Sequence, residues 1–442
     1  MKYLIIFLSF LISAGNYCCQ EFNSASLFEY AKKNSPQLLN SAVDVFISDE
    51  KIKEVRASGL PKINGEFSFQ NFINVPTTVI PASSFNPGAS NDELLGVAFG
   101  TPFNANYNLK ISQLIFSFRY IYGLKAARNF SELSRLANLQ KNETVYENIR
   151  ISLGQVIMLE KMQEIMKQNL SEIKILKKKT NKLIQAGVID KNSINDILIL
   201  ELDINSGLEE IMSNKKLAVL SLKSIIGFPV DTTLNLINDF EVSSEHSFNF
   251  NNAMNTKNNN AFKIGEQNVI LNDLNFKTTK SEGYPSVFGF FNQQHMAMRN
   301  DFNFFDSKKD WYPSTVWGIN ISIPIYNSGE GKSKTNQKRL ALIQSENELK
   351  KIESQIFNLY EMLKSNYNSA YLNYKNQKSK LVLIKGVYKN EERKLSLGAS
   401  NSLSLSQRKM QFLQAQQQLI LKEFELYKAE IQIKTHTNPI KL

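Results

Sequence analysis

Histidines, the side chains most often used as catalytic bases and metal ligands, are few in this sequence. His246, His295 and His436 stand far apart, and none has a second histidine or a carboxylate at the spacing of a zinc site. We recognise no catalytic constellation elsewhere in the chain. The sequence therefore predicts neither an enzyme nor a protein that holds a metal or a cofactor.

Methionines are the other residues that could do chemistry. Met158, Met162 and Met166 share one helical face, and the segment His295–Met298 carries two more methionines near a predicted strand end. Their thioether sulfurs are soft ligands that could pass Cu(I). Packing between helices explains the first group without a metal, and the edge of a loop explains the second. We favour these explanations for both groups.

Residues 1–20 are typical of a secretory signal peptide, because Lys2 precedes an apolar run that is too short to span a membrane. The only cysteines, Cys18 and Cys19, lie at its end, so cleavage after them leaves no disulfide and no thiolate site. Lipidation of either cysteine stays open, although the preceding residues fit a lipidation site poorly. The formal charge of +11 is spread along predicted helices, and we expect no nucleic-acid partner.

Two long stretches without proline dominate the rest of the chain. Proline is absent from Phe103 to Phe228 and from Ile325 to Asn438, although it recurs elsewhere. Proline disrupts helix interiors, so its absence indicates long helices. Each stretch is predicted to be a helical hairpin, which turns near Gly187 in the first and near Gly398 in the second. The long helix of each hairpin would measure about 95 Å at about 1.5 Å per residue.

Apolar residues in both stretches recur at helical spacing. The second stretch alternates steps of three and four, which is close to a coiled-coil seam. Its apolar positions are Leu349, Ile352, Ile356, Leu359, Leu363, Tyr367, Ala370 and Tyr374. The first stretch keeps this spacing less regularly, at Ile149, Leu153, Val156, Ile173 and Leu176. These amphipathic helices need partners.

Before each helical hairpin, apolar and polar residues alternate with the period of a β-strand. Two strand hairpins are predicted, at about 62–116 and about 285–326. A long loop, 75–104, interrupts the first, and the last strand is predicted from Trp317 to Ile325. We expect the apolar face to meet lipid and the polar face to line a watery lumen. The lipid-facing candidates are Phe67, Phe69, Leu109, Ile111, Ile319, Ile321 and Ile323.

Helices also precede the strand hairpins. In the first half a short helix is predicted from Ser24 to Lys33. Ser35 is then predicted to be the N-cap of a longer helix that ends near Ser58. The inward side of this longer helix is predicted to hold Leu39, Val43, Phe46 and Ile47.

The two halves of the chain repeat one plan. Asn34 and Pro61 recur as Asn258 and Pro285 at the same separation, which indicates repeated structural units. The chain therefore divides into a first repeat (21–227), a mixed segment (228–257), a second repeat (258–435) and a tail (436–442). The predicted fold class is mainly α with membrane β, in which long helical hairpins form an α-barrel. Four strands cannot close a barrel alone, so several chains must share one β-barrel.

The order and spacing of these motifs resemble the TolC-like outer membrane efflux protein family, over nearly all of the mature chain. Each motif alone is weak, but their order and duplication are specific. The segments that carry the resemblance are Leu27–Ala31, Asn34–Pro36, Leu60–Pro61, Gln113–Phe116, Gly123–Arg128, Ala186–Val188, Leu222–Gly227, Tyr284–Ser286, Ile323–Tyr326 and Leu397–Ala399.

This resemblance implies a homotrimer in the outer membrane of a Gram-negative bacterium, with a helical tunnel that crosses the periplasm. It also implies that a periplasmic adaptor protein docks at the helical turns and links the channel to an inner-membrane transporter. The docking candidates in this sequence are Gly187, Val188, Gly398 and Ala399.

Family members often narrow the tunnel with aspartates shortly after the second turn. This chain has Ser404 and Gln407 at those places, which argues against a carboxylate ring that would favour cations. Asp190 and Asp196, near the first turn, could add charge to the periplasmic constriction. They could equally be aspartates that the helix dipole favours at a helix start.

Three functions stay open at this stage. The chain could be the passive exit duct of a tripartite efflux system for small molecules, or the exit duct of a type I protein secretion system. The sequence does not separate these two, because the partners largely select the cargo. A soluble periplasmic coiled-coil binding protein is the alternative from a different class.

Overall fold

The computed structural model describes residues 21–85, 88, 90, 92–237 and 255–437. The predicted signal peptide, both cysteines, His246 and most of the mixed segment lie outside these residues. The chain divides into two compact units, each described here by itself. The first holds the described residues of Met1–Ile47, Glu132–Asn268 and Glu346–Leu442, and the second holds those of Ser48–Ser131 and Val269–Ser345. Each unit thus takes segments from both sequence repeats.

The first repeat contains short strands and helices followed by a long helical hairpin. Its elements are, in chain order, β1 (Glu21–Phe22), α1 (Ser24–Asn34), α2 (Pro36–Ala57), β2 (Lys62–Asn71), β3 (Thr77–Pro81), β4 (Leu94–Ala98), β5 (Phe103–Ser117), α3 (Phe118–Gln185) and α4 (Ser193–Ile226). The long helix α3 contains 68 residues, and proline is absent from it, as the sequence predicts.

The second repeat follows the same order of helix, two strands, long helix and shorter helix. After β6 (Asn235–Leu236) its elements are α5 (Asn260–Lys280), β7 (Ser286–Arg299), β8 (Tyr312–Ser322), α6 (Glu330–Ser396) and α7 (Ser402–Thr437). The long helix α6 contains 67 residues, close to the length of α3. The duplication predicted from the sequence is therefore present in the fold.

Membrane-spanning helices are absent from the part of the chain that the structure describes, since none of its helices is both long and apolar enough to cross a bilayer.

The core of the first unit is built from the apolar faces of the long helices. All five positions predicted in the first repeat are buried. In α6 Leu359 of the predicted face is 40% exposed in the single chain, whereas the adjacent Tyr360 is 6% exposed. The buried face passes from Ile356 through Tyr360 to Leu363. Steps of three and four residues are interchangeable on a helix, so the pattern alone does not distinguish these neighbours.

The predicted inward side of α2 is wrong for the single chain. Leu39, Val43, Phe46 and Ile47 are between 42% and 68% exposed, and Leu38 is the buried apolar residue in their place. Helical periodicity shows that these residues share a face, but it does not show what that face contacts. The exposed face lacks a partner among the described residues of the chain.

Ser35 occupies the predicted N-cap position of α2 but does not cap it with its side chain. Its carbonyl accepts hydrogen bonds from the N–H groups of Leu38 and Leu39, as expected at a helix start. Its hydroxyl instead donates to the carbonyl of Ile225 at 2.8 Å, near the end of α4. The serine therefore joins two helices of the first unit.

Four strands form the sheet of the second unit, in the order β2-β5-β7-β8, and every neighbouring pair is antiparallel. β8 ends at Ser322, so the prediction that Ile323 and Ile325 belong to it is wrong. Pro324, between them, has no N–H to donate to a neighbouring strand. Within the described residues, the outer edges of β2 and β8 have no neighbouring strand.

The segment 75–104, predicted to be a loop, contains a small hairpin formed by β3 and β4. Its strands are rich in Thr, Val, Ile and Leu, which favour strands, and this composition outweighs the nearby prolines. Pro76 precedes β3 and Pro81 is its last residue, so both prolines lie where a strand tolerates them.

Candidate channel and docking surfaces

Each long helix ends in the same backbone geometry. Gly187 has a φ of +71° and Gly398 a φ of +73°, values that favour glycine. The N–H of Val188 donates to the carbonyl of Leu183 at 3.0 Å, which closes the helix end in the manner of a Schellman motif. The N–H of Ala399 makes the corresponding bond at 2.9 Å. Both glycines are therefore required by the turns themselves.

The two turns lie side by side in the first unit. A Cβ atom added at Gly398 would lie 3.8 Å from a methyl group of Val188, and one added at Gly187 would meet nothing within 4 Å. The Val188 side chain is half exposed. The residues predicted as docking turns are thus brought together on one accessible surface.

The residues predicted to form a constriction do not form a cluster of carboxylates. Asp190 is exposed and accepts a hydrogen bond from the N–H of Asn192 at 2.6 Å. Asp196 accepts one from the hydroxyl of Ser402, also at 2.6 Å. Its carboxylate is therefore held by the second helical hairpin.

The other two constriction candidates lie in the first turns of α7. The N–H of Ser404 donates to the side-chain oxygen of Asn401 at 2.8 Å, which identifies Asn401 as the cap of α7. Gln407 is exposed. Neither residue contributes a negative charge, as the sequence already indicates.

A buried lysine was missed in the sequence. The side chain of Lys409 is fully buried, and its ammonium group makes an ion pair with Glu172 of α3. The same nitrogen lies 4.8 Å from the ring centre of Tyr388 and 5.4 Å from that of Phe412. These contacts satisfy a charge that would otherwise be costly to bury.

Tyr388 and Phe412 are stacked, with ring centres 5.5 Å apart. Burial raises the pKa of the Tyr388 hydroxyl, and the carboxylates of Glu392 and Glu172 raise it further. The phenol therefore stays neutral, so it offers the lysine a ring face but no negative charge.

Lys409 belongs to a row of polar residues on α7 that contact the first helical hairpin. Ser402 bonds to Asp196 and Lys409 to Glu172, as described above. Gln416 accepts a hydrogen bond from Asn169 at 3.1 Å, and Glu423 pairs with Lys161 at 3.1 Å. We call these four contacts the polar seam.

The polar seam has a signal in the sequence. Ser402, Lys409, Gln416 and Glu423 follow one another at intervals of seven residues. Residues seven apart lie on one face of a helix, and here the buried Leu405, Leu413 and Ile420 lie beside them. A polar heptad within an apolar face would have identified these residues.

The sheet of the second unit has two different faces. In one cross-strand row Ile63, Ile111, Phe291 and Trp317 stand opposite one another. The six predicted lipid-facing residues that lie in strands share the face of this row: Phe67, Phe69, Leu109, Ile111, Ile319 and Ile321. The seventh, Ile323, lies beyond the end of β8 and is exposed.

The opposite face is polar. One of its rows contains Glu66, Asn108, Gln294 and Ser314, and the row beside it is mostly polar as well. Residues directly opposite in a sheet point to the same side, and the two faces are most distinct in β2 and β5. Strand β7 mixes them, because Gln293 and His295 lie on the apolar side and Phe288 and Phe290 on the polar side. The arrangement in β2 and β5 is the one that a sheet between lipid and water requires.

The described residues contain no group of three or more His, Cys, Asp or Glu side chains that could hold a metal ion. The rings of His295 and His436 lie 3.1 Å from the Gln293 amide and the Ile356 carbonyl, respectively. Burial lowers the pKa of His436. Met158 and Met166 are buried in the helical core, and Met162 packs against it.

Comparison with known proteins agrees with this geometry. Residues 258–438 match the family model described as outer membrane efflux protein. No curated protein matches the sequence. The fold is similar to that of CusC, with a TM-score of 0.77, 14% identity and 95% of each chain covered.

Two further solved structures have the same fold. VceC of Vibrio cholerae has a TM-score of 0.72 and 11% identity, with 94% of this chain and 95% of that chain covered. The outer membrane channel CmeC of Campylobacter jejuni has a TM-score of 0.73 and 13% identity, with 96% and 90% covered. The fold class predicted from the sequence, mainly α with long helical hairpins, is therefore confirmed. The family match thus covers the second repeat, and nearly the whole length of the chain has the fold of these three solved structures.

Proposed function

We propose that this protein is the outer membrane exit duct of a tripartite efflux system in a Gram-negative bacterium. It works as a homotrimer whose chains share one membrane β-barrel, and its helical part lies in the periplasm. Small molecules driven by an inner-membrane transporter leave through it, and the duct itself performs no catalysis. A periplasmic adaptor protein docks at Gly187, Val188, Gly398 and Ala399.

The observation that supports this proposal best is the two-faced sheet with open edges. Its apolar face is suited to lipid, and its polar face to a watery lumen. Backbone groups along an unpaired edge are too costly to leave in lipid, so the edges must be closed by other copies. Because the four strands alternate in direction, β8 of one chain can pair antiparallel with β2 of the next.

The exposed apolar faces of the helices support an oligomer independently. On α2, Val43, Phe46 and Ile47 are at least half exposed, and on α6 so are Val382 and Leu383. Clusters of exposed apolar residues mark interaction surfaces in native proteins. In the trimer, neighbouring copies cover these faces.

The constriction lies near the helical turns in this proposal. Asp190, Asp196, Ser404 and Gln407 surround it, with Asp196 held by the polar seam. Asp190 is then the more accessible charge. We expect a narrow end that is less selective for cations than a complete carboxylate ring would be.

The mass of the particle from outer membrane fractions in mild detergent, measured by light scattering, tests the proposal. We expect three chains in each detergent-bound particle. Crosslinking from cysteines placed at Val188 and Ala399 would then identify the adaptor. A monomer that is extracted without detergent would contradict the duct and favour a soluble periplasmic coiled-coil protein.

A further inference from the structure

A cavity of about 400 Å³ lies in the second unit, on the polar face of the sheet. Its floor is built from two cross-strand rows, at the ends of β2 and β7 and the start of β5. The rows are Ser68, Asn106 and Met296, and beside it Gln70, Asn104 and Met298. Because opposite residues share a face, both methionine side chains lie on the side of the amides.

The wall of this cavity is formed by the segments that lead into and out of the β3–β4 hairpin. Phe72, Val75, Pro76 and Phe99 line it. The N–H of Phe72 donates to the carbonyl of Pro102 at 2.7 Å, which ties the two segments together. One wall of the cavity is thus held by a backbone hydrogen bond at the base of the hairpin.

Side-chain hydrogen bonds also order one corner of the cavity. The Asn104 amide donates to the carbonyl of Thr101 at 3.2 Å. In return the Thr101 hydroxyl donates to the side-chain oxygen of Asn104 at 3.0 Å. These reciprocal bonds hold Asn104 in place without a ligand.

The lining has no ionisable residue. It combines two phenylalanines, a valine, a proline and two methionines with amide and hydroxyl groups. A volume of this size lies within the range of small-molecule sites, which are mostly apolar with a few polar groups. Methionine adapts its shape to different ligands.

We propose that this cavity binds an uncharged, partly apolar organic molecule of drug size. Its aromatic and thioether groups would contact the apolar part, and the Ser68, Gln70 and Asn106 side chains the polar part. That such a molecule is exported cargo rests on the proposed function, whereas binding itself does not. A soft metal ion fits less well, because the cavity is much larger than an ion and offers no negative charge.

Benzophenone, a neutral aromatic ketone, tests the proposal on the full-length protein in detergent. Irradiation attaches it to nearby C–H bonds, with a preference for methionine, and peptide mass spectrometry locates the product. We expect saturable labelling of Met296 and Met298 that excess diphenylmethane suppresses at least fivefold. Met212, which is 42% exposed on α4, supplies the unspecific level of labelling.

Matched variants distinguish labelling within the cavity from unspecific labelling in detergent. Phe99→Ala removes part of the wall and should lower the labelling of Met296 and Met298 several-fold. Phe305→Ala, at a residue that is 91% exposed and does not line the cavity, should leave it unchanged. The charged derivative benzoylbenzoate should label these methionines less than benzophenone does.

Labelling that rises linearly with benzophenone concentration, as at Met212, would overturn the proposal. Protection by Ag⁺ but not by diphenylmethane would also overturn it, in favour of a soft-metal site. Particle mass reports on the duct separately. A three-chain particle without saturable labelling contradicts only the cavity, and a monomer with saturable labelling contradicts only the duct.

Discussion

The hydroxyl of Ser402 donates to the carboxylate of Asp196 at 2.6 Å, across 206 residues of sequence. This bond joins the first turn of α7 to the first turn of α4, directly behind the two helical turns. It is the first contact of the polar seam, which continues along α7 to Glu423. The helical turns are therefore supported by polar contacts between the two hairpins.

Ser402→Ala should lower the free energy of unfolding by about 1 to 2 kcal/mol, because it removes a buried donor from a charged acceptor. Denaturant unfolding in detergent, followed by circular dichroism, measures the change. Ser404→Ala is the matched control, since Ser404 lies two residues away and contributes only its backbone N–H to a hydrogen bond in the described structure. Equal effects of the two variants would show that the Ser402–Asp196 bond contributes nothing specific.

Lys409→Ala should lower the free energy of unfolding by about 2 to 3 kcal/mol, because it removes a buried aliphatic side chain and the contacts of its ammonium group with two rings. Lys409→Met keeps most of the stem, and Glu172 is partly exposed, so this variant should stay within about 1 kcal/mol of the wild type. The same unfolding measurement applies. Lys177→Ala removes the ion pair that a more exposed lysine makes with Glu201, and it should lower the free energy of unfolding by less than about 1 kcal/mol. A Met variant as unstable as the Ala variant would mean that the charge itself is required.

Gly227→Ala should destabilise the protein more than Gly187→Ala, although both glycines have a φ of +71°. The left-handed backbone alone costs roughly 1 to 2 kcal/mol with a Cβ atom. At Gly227 that atom would also lie 2.2 Å from the carbonyl oxygen of Asn34, whereas at Gly187 it meets open space. We expect a further cost of about 2 kcal/mol at Gly227 from this overlap. Thermal unfolding of the two variants measures the difference. Equal melting temperatures would contradict the close approach of the Asn34 carbonyl to Gly227.

Glu147→Gln should stabilise the protein at neutral pH. Burial raises the pKa of the Glu147 carboxyl. The positive charges of Arg150 and Lys428 lower this pKa, but the effect of burial is larger. At a pH between the pKa of Glu147 in the unfolded chain and its raised pKa in the folded chain, the folded state binds more protons than the unfolded state. The free energy of unfolding therefore falls as the pH rises through this window. The melting temperatures of variant and wild type should therefore differ above the window and converge below about pH 4. Glu209→Gln, at an exposed carboxyl, is the control and should show no such convergence.

Ile321→Asp should reduce assembly in the outer membrane, because it places a charge on the face proposed to meet lipid. Asn320→Asp puts the same residue at the neighbouring position on the opposite face, where a charge stays hydrated. The yield of three-chain particles from membrane fractions measures the difference. Normal assembly of Ile321→Asp would contradict the proposed orientation of the sheet.

Periodicity and proline placement were sufficient to predict the repeated elements. Long helices, strand hairpins and turn glycines each have a local cause in the sequence, so their order could be predicted without a structure. The residues at which helices and strands end are harder to predict. Ile323 continues the alternation of β8 perfectly, but the strand has already ended at Ser322. Hydrogen-bond partners decide where a strand ends, and they lie elsewhere in the chain.

Contacts between distant segments could not be predicted in the same way. The apolar character of Phe46 predicts an inward position, but among the described residues of one chain its side chain is 68% exposed. The sequence alone does not predict that Lys409 is buried, because a lysine in a helix is usually solvated. Its burial depends on Glu172 and the Tyr388 ring, which lie far from it in the sequence, as well as on the nearby Phe412 ring.

The regular spacing of the polar seam also sets the axial register of α7 against α3 and α4. Each polar residue meets its own partner only when the helices are aligned along their length. A slip by one helical turn, about 5.4 Å, would leave Lys409 among apolar side chains and move Gly398 away from Val188. The seam therefore keeps both turns level, as the proposed docking of a single adaptor surface to both of them requires.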